Sequence, residues 1–338
     1  MDYGLFEKIL KVDSTSGKER ALSEMLADVL PGWFAEQGAA QPELSRTEVG
    51  DGTENLLFSW GVPRVVFCTH LDTVPPYIAP VLSEDRVEGR GSNDAKGQLF
   101  SFACACARLS AAGRSGFGLL LVSGEETGSY GAKAFAKTDF RAPYLIVGEP
   151  TCNRMVSASK GTKSFQVHIG GKRCHSGYPE HGVSAVEIFK GLLCALDAAA
   201  FPQDPVLGPT TWNVGKLVSD NAQNILSDSL DCRIYFRTTF ASDALVCAKM
   251  EQLGRLPFVE IQALGGDVPR EYFTLDGFES APVSFGSDAP HLTNFEHRAI
   301  CGPGDILTAH TPDEFVVKAD LEKAVEQYVR MFEMIEKL

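Results

Sequence analysis

Nowhere in the 338 residues is there a run of about 18 apolar side chains, so no segment reads as a membrane span. The opening Met1-Asp2-Tyr3-Gly4 lacks the basic and apolar stretches of a secretory signal. No CxxC pair occurs. The nine cysteines are odd in number and scattered, which argues against a disulfide framework and against a thiolate zinc site. Several sit in apolar runs (Val66-Phe67-Cys68, Phe102-Ala103-Cys104), where a free cysteine behaves as a small hydrophobe. A reducing, cytoplasmic setting is the expectation. Positive charge is in short supply: a net charge of −13 repels a phosphate backbone on average, so nucleic acid is not an expected partner, and no membrane is expected either. Internal repeats and low-complexity segments are also missing.

What is present is an ordinary globular composition, 44% apolar, in a chain long enough for two domains. Residues 64–69 (RVVFCT), 118–123 (GLLLVS) and 143–148 (PYLIVG) are short apolar runs bounded by Gly, Pro or Ser and read as buried strands. Ala95 to Leu109, rich in Ala, Leu and Phe, reads as a helix, with Gly113 as a stop signal. Strand, helix and strand in repetition predict an α/β fold, a mostly parallel sheet with helices on both faces.

The middle of the chain has another rhythm. Residues 163–170 alternate like a half-exposed strand, Ser184 to Ala200 reads as a helix with Ser184 as N-cap, and 211–218 and 229–239 read as strands. A helix over Ser242 to Leu253 and a strand over 258–264 complete β-α-β-β-α-β, the ferredoxin-like order. The chain then returns through VSFG (283–286), RAIC (298–301) and a helix from about Ala319 to Glu336. We therefore expect one domain from 1–159 and 269–338, interrupted by an inserted α+β domain over 160–268.

Acidic and histidine residues follow three of the predicted strands directly. His70-Leu71-Asp72 follows the first, Glu125-Glu126 the second and Glu149 the third. Ligands of open parallel sheets bind outside the carboxyl ends of the strands, so sequence position alone draws these groups toward one crevice. Asp94 stands at the start of the predicted helix, and His310 in a loop after RAIC. One such residue alone has an ordinary explanation as a helix cap or a solvated side chain. Together, charges converging over a sheet repel unless cations neutralise them. Two histidines and three carboxylates suit a pair of zinc ions.

These residues lie in six ordered motifs. Thr69-His70-Leu71-Asp72-Thr73-Val74-Pro75, then Gly89 to Gly97 (GRGSNDAKG), Gly124-Glu125-Glu126-Thr127-Gly128 and Gly148-Glu149-Pro150-Thr151 come first. Phe285-Gly286-Ser287-Asp288-Ala289-Pro290 and Gly302-Pro303-Gly304-Asp305 running into Ala309-His310-Thr311-Pro312-Asp313-Glu314 close the series. Across about residues 5 to 335 the chain resembles the acetylornithine deacetylase, succinyl-diaminopimelate desuccinylase and carboxypeptidase G family of two-zinc metallohydrolases, and its ending is most similar to acetylornithine deacetylase-like members. The segment between Asp72 and Gly91 departs from many relatives in being shorter.

The resemblance implies a set of roles. His70, Asp94 and Glu149 hold one zinc, and Asp94, Glu126 and His310 the other, with Asp94 bridging; cobalt or manganese also suits these ligands. Asp72 orients His70, and Glu125 is the general base acting on a bridging water. The inserted domain becomes a lid and dimerisation domain of a homodimer, whose His175 reaches the partner's active site to stabilise the oxyanion. Asn224 and Arg237 contact a substrate with a free carboxylate. Read from the residues alone, Arg233, Tyr235 and Arg237 share one strand face, and Arg is suited to a bidentate grip on a carboxylate. The implied reaction is hydrolysis of the amide bond of an N-acyl amino acid resembling N-acetylornithine, with a carboxypeptidase or dipeptidase activity on small peptides as the alternative. His168, His181 and His297 are expected to be structural or solvated, and Met331 and Met334 to pack.

Overall fold

The computed structural model describes residues 1–50 and 52–338. The chain divides into two compact units, one of residues 1–157, 272–281 and 287–338, the other of 158–271 and 282–286. VSFG falls differently from its sequence reading: the strand there is Ser280–Val283, and residues 282–286 group with the second unit.

The first unit is built on a six-stranded sheet, in the order Glu43–Gly50, Thr53–Trp60, Phe117–Val122, Val65–His70, Ala142–Val147, Phe295–Ile300. The last four run parallel to one another, while the first two form an antiparallel hairpin that joins Phe117–Val122 antiparallel. Val65–His70 and Phe117–Val122 are buried at every position. That is why their sequences read as unbroken apolar runs: strands covered on both faces have no polar side to show.

Val65 and Phe67 face a core shared with the helices Gly4–Lys11, Arg20–Glu36, Lys96–Ala111 and Lys318–Ile335. Tyr328 of the last helix packs tilted against Phe102, at 4.4 Å between ring centroids. Phe135, from the short helix Tyr130–Phe135, forms a separate aromatic group with Phe140 and Phe295. The fold is α/β, and no helix among the described residues is long and apolar enough to cross a membrane.

The second unit carries a four-stranded antiparallel sheet in the order Thr211–Val218, Ser229–Thr238, Gly161–Gly170, Val259–Gly265. In chain order this is 2-3-1-4, the ferredoxin-like arrangement. Ser184 caps the helix Ala185–Asp197, its hydroxyl accepting the Glu187 N–H. Along Ser229–Thr238 the inward residues Leu230, Cys232, Ile234 and Phe236 pack with Leu192 of that helix and with Val246 and Met250 of the helix Asp243–Leu253. Arg233 and Tyr235, between them, are exposed. The helices thus cover one face of this sheet. All nine cysteines are free.

Candidate metal centre

The four parallel strands each deliver a functional side chain at the same end of the sheet. Val65–His70 ends on His70 itself, Phe117–Val122 leads into Glu125 and Glu126, Ala142–Val147 into Glu149, and Phe295–Ile300 into the loop bearing His310. From Val65–His70 the chain moves to the neighbour on one side and then crosses to the other. Such a switch point opens a crevice between the diverging loops.

Asp94, just before the helix Lys96–Ala111, sits in the middle of the group. Its Oδ1 lies 3.1 Å from His70 Nε2 and its Oδ2 3.3 Å from His310 Nε2. The same His310 nitrogen is 2.8 Å from Glu126 Oε1. His70, Asp94 and Glu149 offer ligand atoms all within 4.8 Å of one another, as do Asp94, Glu126 and His310. A third grouping of the same tightness, His70, Glu125 and Glu126, brings Glu125 to the same place. His310 takes a left-handed φ of +64°, uncommon for a residue with a side chain. Strain of this kind is found where the surroundings impose a conformation, as at binding sites.

Asp72 is fully buried and ties the loops together. Its Oδ1 accepts the Glu125 N–H at 3.0 Å, and its Oδ2 accepts the Glu126 N–H at 3.1 Å and the Ser16 hydroxyl at 2.9 Å. His70 Nδ1 lies 2.9 Å from the Asp72 backbone carbonyl and 3.5 Å from its carboxylate. With Nδ1 so engaged, Nε2 is the nitrogen left to face Asp94 and a cation.

Electrostatics in the ion-free protein are lopsided. Burial, reinforced by Asp94 and Glu125, pushes the Glu149 carboxyl well above its ordinary value. Burial, with Asp288, Glu126 and Asp94, does the same to Glu125. Hydrogen bonds to Asp94 and Glu126 push the His310 imidazole up to about 10. Burial opposes a proton on His70, yet Asp72 and Asp94 hold its pKa well above normal. The buried Glu149 Oε1 has no hydrogen-bond partner. Crowded acids that cannot all ionise, histidines held as cations and an orphaned carboxylate oxygen share one remedy, a bound divalent ion. Nitrogen and oxygen donors of this kind fit zinc, cobalt or manganese.

Of the residues singled out from sequence, His70, Asp72, Asp94, Glu125, Glu126, Glu149 and His310 are thus brought together. His175, Asn224 and Arg237 lie in the second unit. There, Ser176 N–H donates to the Asn224 carbonyl at 2.9 Å and His175 forms a bridge with Ile225, so His175 and Asn224 are on adjacent backbone segments, both exposed. Arg237 is on the sheet face away from the helices, its guanidinium 5.1 Å from the centre of the Tyr235 ring. Three residues of the first unit went unassigned in sequence. Ser16 stands in a polar loop between helices with no periodicity to flag it. Asp288 and Glu314 lie within quoted motifs, but a motif does not state what a side chain touches. Asp288 is buried, and burial pushes it up to about 6.

Fold and site together define a metallohydrolase built on an open α/β sheet. Residues 66–334 match the model of peptidase family M20/M25/M40. A peptidase M20 domain-containing protein of Schizosaccharomyces pombe is 30% identical, over 97% of this chain and 83% of its own. A probable carboxypeptidase of Emericella nidulans is also 30% identical, over 97% of this chain and 88% of its own. Among solved structures, a tripeptidase from Staphylococcus aureus superposes with a TM-score of 0.80, covering 98% of this chain and 97% of that one at 18% identity, a likeness of fold. The chain belongs to peptidase family M20/M25/M40 and is a metal-dependent hydrolase.

Proposed function

We propose that this enzyme holds two divalent metal ions and hydrolyses an amide bond next to a free carboxylate, with short peptides as the leading substrate class. One observation carries the two-metal reading: the two oxygens of Asp94 face two different histidines, His70 and His310, at 3.1 and 3.3 Å. In this reading Glu149 completes the His70 side and Glu126 the His310 side. Ions held there supply Lewis acidity and a water of lowered pKa.

The protein's own groups do the rest. Glu125 belongs to the cluster but is needed in neither ligand set, so its carboxylate is free to take a proton from water and pass it to the departing nitrogen. Asp72 holds the Glu125 and Glu126 backbone and fixes the His70 tautomer. In the inserted unit, Arg237 and Asn224 bind the substrate carboxylate, and His175 donates a hydrogen bond to the oxyanion in the partner of a homodimer. The free cysteines support a reducing, cytoplasmic setting.

The name of the Emericella nidulans relative, a probable carboxypeptidase, supports peptides as substrates. The final motifs, Gly302 to Glu314, favour a second reading, an N-acyl amino acid such as N-acetylornithine. A hydrolysis screen with zinc, cobalt or manganese added separates them. Dipeptides and tripeptides are expected to be cut faster than N-acetyl and N-succinyl amino acids. Faster release from the N-acyl compounds would replace the peptide reading with the second, and no metal-dependent release from either class would overturn both.

A further inference from the structure

Glu314 closes the last motif and has so far been given no task. It directly precedes the strand Phe315–Val317, which pairs antiparallel with Arg86–Glu88. The ladder runs one step further, the Gly89 N–H donating to the Glu314 carbonyl at 2.9 Å. From there the Glu314 side chain reaches beneath residues 90–94, the loop that presents Asp94. Its Oε1 accepts three backbone N–H groups, from Gly91 at 2.9 Å, Asn93 at 3.1 Å and Asp94 at 3.0 Å. Its Oε2 accepts Nη1 of Arg90. Glu314 and Arg90 are 1% and 2% exposed.

This is a costly arrangement for a merely architectural loop. A buried ion pair gains little net stability over apolar packing, because desolvation consumes most of its Coulombic attraction. What it provides is direction: a single carboxylate oxygen ringed by three converging amides fixes the path of the backbone that supplies them. The loop has no slack elsewhere. A Cβ on Gly91, whose φ is +82°, would lie 2.8 Å from Thr73 Cγ2, and one on Gly304 would lie 1.7 Å from Asn93 Oδ1. Glu314 is also four residues beyond His310 on the same segment. One stretch of chain therefore carries His310 and, through Glu314, grips the backbone of Asp94.

We propose that Glu314, with Arg90, is the positioning pair that sets the Asp94 carboxylate between His70 and His310 and so fixes its capacity to bridge two metal ions. This role rests on the two-metal reading of the site. Glu314 touches no ligand side chain. It acts through the main chain, by locking the 91–94 turn to the segment that bears His310.

The test is Mn²⁺ binding to the metal-free, full-length protein, followed by calorimetric titration and electron paramagnetic resonance. Wild type is expected to take up two Mn²⁺ and show the exchange-coupled signal of a bridged pair. Glu314→Gln keeps the size of the side chain but loses the charge that gathers the amides and Arg90. It is expected to bind the first ion, to bind the second about tenfold or more weakly, as outer partners of metal ligands do, and to lose the coupled signal. Its kcat should drop with KM little changed. A Glu314→Gln protein with lower thermal stability but an intact two-ion titration and coupled signal would overturn the role. Arg90→Lys leaves Glu314 charged but removes the planar fork. It should weaken the second ion in the same direction, and if Glu314→Gln does not fold, unchanged coupling in Arg90→Lys overturns the proposal. A wild-type protein that binds fewer than two ions would overturn the two-metal reading itself, and an Asp94→Asn protein that still shows a coupled pair would remove Asp94 as the bridge.

Discussion

The loops of the first unit that carry the candidate metal ligands and the candidate substrate residues of the second differ sharply in burial. In the loops, His70, Asp72, Asp94 and Glu149 are nearly inaccessible, at 1, 0, 6 and 4% exposure, and several side chains answer to more than one neighbour. In the second unit His175, Asn224 and Arg233 are exposed, and Arg237 keeps company mainly with a tyrosine ring. Charges that are buried together must be organised by one another, so their geometry is already set before substrate arrives. Charges on the open sheet face have fewer such neighbours: Arg233 donates to Gln166 Oε1 at 3.3 Å and Arg237 lies over the Tyr235 ring. The first group is largely preformed, with His310 exposed at its rim, while the roles proposed for the second group depend on a substrate or a partner chain.

The largest expected effect tests the preformed half. Glu125→Gln should keep both metal ions and lower kcat by about a hundredfold or more, the usual scale for loss of a general base. Metal analysis and kcat on the same preparation decide the matter. Loss of an ion would make Glu125 a ligand, as its place in a cluster with His70 and Glu126 allows. A kcat above about a tenth of wild type would remove it as the base.

The open half is tested by His175→Ala, for which we expect a loss on the order of a hundredfold in kcat if its imidazole donates to the oxyanion. The comparison sharpens when the two inactive variants are unfolded and refolded together. A chain carrying His175→Ala retains Glu125 and can receive an intact His175 from a Glu125→Gln partner. Statistical pairing of a two-fold dimer then restores about a quarter of wild-type activity. Mixed dimers demonstrated by mass spectrometry without recovered activity would rule out action across an interface.

A smaller effect concerns the protons of the metal-free site. His310 is held up to about 10 by Asp94 and Glu126, so at neutral pH it keeps a proton that an incoming ion must displace. The sign follows: raising the pH toward that value removes the competing proton, and apparent affinity should climb by about tenfold per pH unit for each proton released. For the ion-free protein the linkage runs the other way. A histidine whose pKa is raised by folding adds stability in full below its unfolded value of 6.5, and that contribution disappears as pH rises through about 10. Competition titrations with a chelator of known pH dependence, between pH 6 and 8, should show the rise. A flat profile would mean that His310 is not displaced and is no ligand.

The contrast between the two regions also explains how much could be read from sequence. The buried parallel strands announced themselves because burial on both faces leaves only apolar residues, and the candidate ligands could be picked out because loops at strand ends carry function. Glu43–Gly50 gave no such signal: it is an edge strand, ELSRTEVG, with no position fully buried, and its strand character comes from pairing with Thr53–Trp60. The helices Gly4–Lys11 and Arg20–Glu36 went unread for lack of any strand to frame them. In the candidate site, the clustered residues were legible as residue types, but the hydrogen bonds that hold them were not. Glu314 reaches Gly91 across 223 residues and Ser16 reaches Asp72 across 56, and nothing local records either contact.

The smallest effect is expected at Ser16, and it measures how redundant the preformed half is. The Ser16 hydroxyl donates to Asp72 Oδ2 at 2.9 Å, on the same oxygen that accepts the Glu126 N–H, while Oδ1 accepts the Glu125 N–H. Ser16→Ala removes one hydrogen bond to a buried charge. In stability terms that is about 1.5–3 kcal/mol, set against an Asp72 carboxylate that keeps its two backbone donors and His70. If the donors share the task, the loops stay in place and kcat falls only a few-fold, with KM and metal content unchanged and Tm lower by a few degrees. Asp72→Ala removes every strand of the same network and should cost far more, bringing down metal binding as well as kcat. A Ser16→Ala variant that loses as much activity as Asp72→Ala would show that the network has no redundancy and that Ser16 alone orients it. One indistinguishable from wild type in both kcat and Tm would show that the hydroxyl contributes nothing, and that the segment before the helix Arg20–Glu36 is held to the site by its backbone contacts with Thr73 instead.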